Sequence, residues 1–235
     1  MANYFHLLIA NILVLFSVVN PIGNAFVINN NYLINLDSEQ RKVIIGKIAR
    51  CAFFICIGGL FIGKFLLILF GLSVPIIQVA GGAIICRNGW AFFMNDPTTN
   101  QTDDETQTDD IIEKKRQTQY SYLLNNIFYP LTFPTMIGAG TFSVLLTLAA
   151  NASAARWGEM ILNFSSVVIA IAIICFLVYI IFVNIVVVQK HLGREGNIVV
   201  RKMSSFFTIC IGLKITISGL TEVIVLIIEK IKPLI

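Results

Sequence analysis

Six long apolar segments follow one another along the chain, separated by polar stretches. They cover residues 5–28, 43–70, 74–93, 120–150, 161–188 and 206–228. Each has roughly the 20 apolar residues that a helix needs to cross the hydrocarbon core of a bilayer. The pattern predicts an all-α membrane protein with six transmembrane helices.

The composition supports this interpretation. Apolar residues make up 57% of the 235 residues and charged residues 13%, about half the charged share of a typical soluble domain. The mean hydropathy is +0.82. We therefore expect one membrane domain over residues 1–235, with the lipid bilayer as its surroundings. The net charge of +4 is not gathered into a basic stripe, so no nucleic-acid partner is expected.

A polar, acid-rich stretch at residues 95–118 divides the chain into two parts. Residues 1–94 and 119–235 then hold three apolar segments each. Because three is an odd number, the second part enters the membrane from the opposite side, so related halves would form an inverted repeat. We expect the stretch at 95–118 to be a mobile cytoplasmic loop.

Segments one and four carry similar interruptions. Segment one contains "VVNPIGN" at 18–24, and segment four contains "PTMIGAGT" at 134–141. Asn is a good helix cap and Pro suits a first helical position, so Asn20 and Pro21 predict a new helix start inside segment one. Thr141 is expected to cap the corresponding helix of segment four.

Such paired interruptions are the best sequence indication of a transporter site. Unpaired N–H groups at two half-helix N-termini would favour an anion such as a carboxylate. The alternative is that both breaks are structural kinks. The candidate substrate-binding residues are Asn20, Pro21, Gly23, Asn24, Pro134, Thr135, Gly138, Gly140, Thr141 and Ser143.

The third segments of the two halves also correspond. "AGGAIICRNGWAFF" at 80–93 aligns with "MSSFFTICIGLKIT" at 203–216, which places Gly89 and Gly212 in register. Ionisable residues within apolar segments are functional candidates, and among them we single out Lys64, Arg87, Lys214 and Glu222. Arg87 and Lys214 are the deeper ones, and we expect them to line a polar cavity. The apolar segments contain no clear central acidic residue, so proton coupling is not assigned to any residue.

The distribution of Lys and Arg predicts the orientation. Six crossings place nine of these residues on one side and three on the other, so both termini are expected in the periplasm. The nine are Arg41, Lys42, Lys114, Lys115, Arg116, Lys190, Arg194, Arg201 and Lys202. A rival topology, with segments one and four as re-entrant hairpins, divides these cations less sharply, eight against four.

Catalytic and metal signatures are absent from the sequence. Two histidines and five cysteines form neither a His-Glu-x-x-His nor a Cys-x-x-Cys pattern, and no phosphate-binding loop or nucleophile motif is present. We expect the cysteines to pack as small apolar residues. The chain is therefore expected to be no enzyme and to need no cofactor or metal.

Four stretches together resemble one known family. "NPIGN", "GLSVPIIQVAGGAII", "PLTFPTMIGAGTFSVLL" and "GLKITISGLTEVI" are similar to the MarC family of bacterial six-span inner-membrane proteins. The likeness covers nearly the whole chain apart from 95–118. The family usually has Gly-Pro-Gly where this chain has Gly138-Ala139-Gly140, and an apolar residue at the place of Arg87.

The resemblance implies a function and a location. Some members of the family are classed as neutral amino-acid transporters, so the expected function is secondary transport of a small neutral amino acid, with a coupling ion, across the inner membrane. The alternative is a non-transporting membrane scaffold or assembly partner. A membrane enzyme or a pore has less support in the residues, and the oligomeric state stays open.

Overall fold

The computed structural model describes residues 2–94, 109–152 and 157–231, and the regular structure within these ranges is helical throughout. The α-helices are α1 (Ala2–Val19), α2 (Pro21–Ile28), α3 (Ser38–Phe70), α4 (Val74–Met94), α5 (Asp109–Asn125), α6 (Ala139–Ala152) and α7 (Trp157–Ile231). Two π-helices follow α2 and α5, at Asn29–Leu33 and Ile127–Met136.

Five helical stretches in the described part of the chain are long and apolar enough to cross a membrane. They are Tyr4–Leu33, Ser38–Gly63, Val74–Met94, Trp157–Gly193 and Glu195–Ile228. A shorter apolar helix covers Gly140–Ala152. The predicted all-helical membrane fold is therefore confirmed. Five of the six expected segments contain such a helix, whereas segment four, in which the sequence predicts a break, contains only the shorter one.

Prolines explain why segment four is irregular. Tyr129 and Phe133 have extended backbone angles (φ −125°, ψ 128° and φ −116°, ψ 128°) inside the second π-helix. Each precedes a proline, whose ring excludes the residue before it from the helical region. The segment therefore consists of the end of α5, a distorted π-helix and the short helix α6.

The prediction of a loop at 95–118 is wrong for its second part, because residues 109–118 lie within α5. Arg116 ties this helix to the bundle by donating to both carboxylate oxygens of Asp37 at 2.8 Å. It also pairs with Glu113 one turn away at 3.2 Å. The remainder of the predicted loop, 95–108, lies outside the described residues.

Segments five and six join in one long element, α7, which is interrupted at Gly193 (φ 63°, ψ −175°). This backbone conformation favours glycine because it has no Cβ. We call Trp157–Gly193 the first part of α7 and Glu195–Ile228 the second part.

Segment one lies along the first part of α7 over its whole length. Asn11 Nδ2 donates to Ser166 Oγ at 2.7 Å, and Asn29 Nδ2 donates to Gln189 Oε1 at 2.8 Å. Ser166 and Gln189 are 23 residues apart in sequence, about 35 Å along a helix. The two elements therefore run side by side in the same direction.

The buried apolar core lies between α1, α2, α3, α6 and the first part of α7. Against it, α4 and the second part of α7 form a close antiparallel pair. A Cβ on Gly212 would lie 2.7 Å from the backbone N of Cys86 and 2.8 Å from the carbonyl oxygen of Gly82. Only glycine permits this approach of two helix backbones.

Candidate functional site

The break in segment one is built around Asn20. This residue has φ 44° and ψ 65°, in the left-handed region, and its side chain accepts a hydrogen bond from the N–H of Gly23 at 3.1 Å. Pro21 takes the first helical position of α2, where its missing N–H costs nothing. The predicted cap and helix start are confirmed.

Several backbone groups at this break have hydrogen-bond partners. Asn20 N–H donates to Phe16 O at 2.9 Å, and Asn24 N–H donates to Asn20 O at 3.0 Å. The carbonyl of Val19 accepts instead from the side chain of Asn24 at 2.6 Å. Because buried carbonyls without partners are costly, Asn24 supports the bend as Asn20 begins the next helix.

The break in segment four lies between the second π-helix and α6. Ile137 N–H donates to Thr132 O at 2.8 Å, and Phe142 N–H donates to Gly138 O at 3.1 Å. Because the Gly138 carbonyl already accepts this bond, α6 begins at Ala139. Thr141 is therefore inside the first turn, and the prediction that it caps the helix is wrong.

The two breaks meet at one polar cavity of about 40 Å³. Asn24 also spans the gap between them, since its Nδ2 lies 3.5 Å from the carbonyl oxygen of Met136. Of the candidate residues, those lining the cavity are Asn20, Asn24, Thr135, Gly138, Gly140 and Thr141.

The other candidates do not line this cavity. Pro21 and Gly23 are buried beside the first break. Ser143 donates to Ile77 O at 2.6 Å and so joins α6 to α4. Pro134 lies in the second π-helix, and its side chain is outside the described residues.

Arg87 and Lys214 are both exposed on the outside of the described bundle, on α4 and the second part of α7. Neither is among the residues that line the cavity. The cavity wall is therefore built from neutral polar and apolar groups.

Sequence reasoning missed half of the cavity wall. The additional lining residues are Val18, Ile85, Asn88, Phe92, Met136 and Thr208. Thr208 had a detectable signal, because Ser204 and Thr208 stand one helical turn apart at the start of segment six. The apolar residues that line the cavity had no such sequence signal, because most residues of every segment are apolar.

The amide nitrogen and oxygen of Asn20 both make hydrogen bonds within the protein. Its Nδ2 donates to Thr208 Oγ1 at 2.6 Å, and its Oδ1 accepts from Ser204 Oγ at 2.8 Å. With the bond from Gly23, these contacts join the first break to the second part of α7. We call this group of Asn20, Ser204 and Thr208 the Asn20 cluster.

Two polar side chains on the cavity are uncommitted. Within the described ranges, neither the hydroxyl of Thr141 nor the amide of Asn88 has a hydrogen-bond partner, although both residues line the cavity. Thr141 is only 2% exposed. Because they lack partners in the described protein, these groups are the ones available to water or a ligand.

The second break contacts α4 much as the first contacts α7. A Cβ on Gly140 would collide with the side chain of Ile85 and lie 3.3 Å from the carbonyl oxygen of Gly81. Asn20 contacts Ser204 and Thr208, which are likewise one helical turn apart.

The cavity is small in this conformation. A cavity of about 10–15 Å³ holds a water molecule, whereas small-molecule pockets measure about 300–1,000 Å³. A volume of about 40 Å³ therefore holds a few waters at most. Within the described ranges no three His, Cys, Asp or Glu side chains converge, so these parts of the chain offer no metal-ligand set.

Comparison with known proteins agrees with a membrane protein of this kind. The family described as "MarC family integral membrane protein" matches residues 5–224. The UPF0056 membrane protein YvbG of Bacillus subtilis is 29% identical over 196 residues, which cover 80% of this chain and 82% of YvbG.

The UPF0056 inner membrane protein MarC of Escherichia coli K12 is 24% identical over 196 residues, which cover 81% of this chain and 83% of that protein. The MarC protein of Shigella flexneri shows the same identity and coverage. No solved structure matches the chain. With a family match that takes in nearly its whole length, the chain belongs to the MarC family of integral membrane proteins.

Proposed function

We propose that this protein is a secondary transporter of small neutral amino acids or similar zwitterions across the inner membrane. The observation that carries the proposal is the single polar cavity at which both broken segments meet. Irregular backbone is tolerated within a membrane only where protein or a water-filled cavity surrounds it, and transporters place their substrate sites at such breaks.

The contacts around the cavity support an inverted repeat of residues 1–94 and 119–235. The register that aligns Gly89 with Gly212 is a shift of 123 positions, and it carries Gly81 and Ile85 onto Ser204 and Thr208. Gly81 and Ile85 contact the second break, and Ser204 and Thr208 contact the first. Related halves would make equivalent contacts of this kind.

The proposal includes six crossings with both termini in the periplasm. Between its contacts with Ser166 and Gln189, segment one spans 18 residues, about 27 Å along a helix, which is close to the roughly 30 Å of a hydrocarbon core. This length favours a full crossing over a re-entrant hairpin. With the nine-to-three distribution of cations, it supports a cytoplasmic position for the end of the bundle where Asn29 and Gln189 meet.

Binding would use the uncommitted groups of the cavity. The N-terminal turn of α6 contributes Gly140 and Thr141 to the wall. A helix N-terminus carries about half a positive charge, worth roughly 0.3–1 kcal/mol to an anion and up to about 2 kcal/mol when partly buried. A substrate carboxylate would face this turn and accept from the Thr141 hydroxyl.

The small volume of the cavity, about 40 Å³, requires that the cavity widens before it can hold a substrate. The Asn20 cluster is the polar contact that holds the first break to the second part of α7. Separating these groups would widen the cavity between the two elements. Transport would then alternate between a form with a narrow cavity, like this one, and a form with a wider cavity in which Asn20 and Thr208 have moved apart.

The experiment is uptake of a panel of labelled neutral amino acids into proteoliposomes. Thr141→Val removes the free hydroxyl and preserves the side-chain shape, so we expect a loss of transport of about tenfold or more, the effect of one lost buried hydrogen bond to a charged group. Thr147→Val is the matched control, because Thr147 lies on the same helix and donates only to Ser143 O at 3.0 Å.

If Thr141→Val and Thr147→Val transport equally well, Thr141 is not part of the binding site. If the parent protein transports no member of the panel, the scaffold interpretation replaces this one, and the breaks are structural. Gly140→Leu is a poor test, because its side chain would collide with Ile85 and disturb the packing of α6 on α4.

A further inference from the structure

The outward face of α3 carries two cations one helical turn apart. Lys47 and Arg50 are both exposed, and neither has an ion-pair partner among the residues that the structure describes. Arg50 Nε donates to the carbonyl of Gly46 at 3.2 Å. Its two terminal NH₂ groups and the Lys47 ammonium therefore face outward together.

Along α3, Lys47 and Arg50 lie farther into the bundle than its polar end. Arg41 marks that end, because it donates to Asn29, which in turn contacts Gln189. Lys47 and Arg50 are six and nine residues farther along α3, about 9 and 13.5 Å deeper. An uncompensated cation facing lipid at such a depth is costly, although long side chains can extend toward the headgroups.

The neighbouring surface suits a lipid. Helix α3 runs antiparallel to the first part of α7: a Cβ on Gly46 would lie 3.8 Å from Tyr179, and the rings of Phe61 and Phe164 stack at 6.0 Å. Deeper than Arg50, those exposed side chains of α3 that the structure describes are apolar, with Phe54 70% exposed and Phe61 61% exposed. Cations thus stand directly above an aromatic, lipid-facing surface.

We propose that Lys47 and Arg50 bind the phosphate of an anionic phospholipid whose acyl chains lie along Phe54 and Phe61. The apolar surface below the cations favours a lipid over free phosphate. A second copy of the chain in the same orientation would bring like charges to the same depth. The acidic residue of α3 is Glu39, which already pairs with Lys42 at 3.6 Å.

The test is native mass spectrometry of the full chain from micelles containing equal amounts of phosphatidylglycerol and phosphatidylcholine. Each cation near an anionic lipid contributes about 1 kcal/mol, a factor of about five. We expect the parent to retain phosphatidylglycerol about thirtyfold over phosphatidylcholine. The double variant Lys47→Gln/Arg50→Gln should lose most of this preference, at least tenfold.

The matched control is Lys114→Gln/Lys190→Gln, which removes the same charge from two exposed positions at the same end of the bundle and should retain the preference. Arg50→Lys keeps the charge and should also retain it, which separates binding from misfolding. An unchanged preference in the Lys47/Arg50 double variant would overturn the proposal. So would displacement of the lipid by millimolar inorganic phosphate, or a dimer whose formation depends on these two residues.

Discussion

Asn20 combines three tasks that are usually separate. It adopts a left-handed backbone, caps α2 through Gly23, and holds the second part of α7 through Ser204 and Thr208. Asn tolerates the left-handed region better than most residues because its short polar side chain bonds locally. A serine could cap the helix, but its single oxygen lacks the separate Nδ2 and Oδ1 atoms with which the amide donates to Thr208 and accepts from Ser204.

Replacing Asn20 should separate these tasks. Asn20→Ala removes the cap and adds a strained left-handed residue, and we expect it to lower the free energy of unfolding by about 2–3 kcal/mol. Asn20→Gly removes the same side-chain bonds without strain, so its cost should be about 1 kcal/mol smaller. Denaturant titration in detergent measures the difference, and equal costs would show that the left-handed backbone carries no strain.

At the scale of elements, glycine decides where helices approach most closely. The pair formed by α4 and the second part of α7 buries Gly82, Gly89, Gly212 and Gly219. In a bilayer the lipid tails are as apolar as the side chains, so close backbone packing replaces the hydrophobic effect as the force that joins helices. This packing fixes the part of α7 that carries Ser204 and Thr208, and thus one wall of the cavity.

A single methyl group at this contact should therefore be damaging. Gly212→Ala would place its Cβ 2.7 Å from the Cys86 backbone, and we expect a loss of roughly 1–3 kcal/mol in stability, the usual cost of overpacking. Gly58→Ala is the control, because nothing lies within 4 Å of the added Cβ. It should be neutral or slightly stabilising, since alanine is the better helix former. Thermal unfolding of both variants in detergent gives the comparison, and equal melting temperatures would contradict it.

At the scale of the whole molecule, the basic end of the bundle carries more cations than the nine counted in the connections between segments. Lys47 and Arg50 lie on α3 and are exposed, on the same half of that helix as Arg41. They add to the basic end of the bundle and strengthen the proposed orientation, because positive residues collect on the cytoplasmic side.

The orientation is testable by labelling. In a background without the five native cysteines, Lys114→Cys should be protected from an impermeant thiol reagent in intact cells, and Trp157→Cys should react. Both residues are exposed, so accessibility in the isolated protein is not limiting, and labelling after lysis provides the control. Reaction at residue 114 in intact cells would reverse the proposed topology.

Local physical rules account for what the sequence determined by itself. Apolar length predicted the membrane helices, and the pair Asn20–Pro21 predicted a helix start, because capping needs only neighbouring residues. The same reasoning named six residues that line one cavity, among them Asn20, Asn24 and Thr141. Proline also marked the irregular part of segment four, although the distortion at Tyr129 and Phe133 had to be seen in the structure.

Tertiary structure alone decided which groups are free to bind. Asn20 looks available in the sequence, yet its amide bonds to Thr208, which lies 188 positions away. Arg87 and Lys214 look like cavity residues by depth, yet they point outward. Whether a side chain already has a hydrogen-bond partner, and which side of a helix faces outward, depend on which distant segments pack together. That packing is set by glycine contacts such as Gly82 with Gly212 rather than by any local pattern.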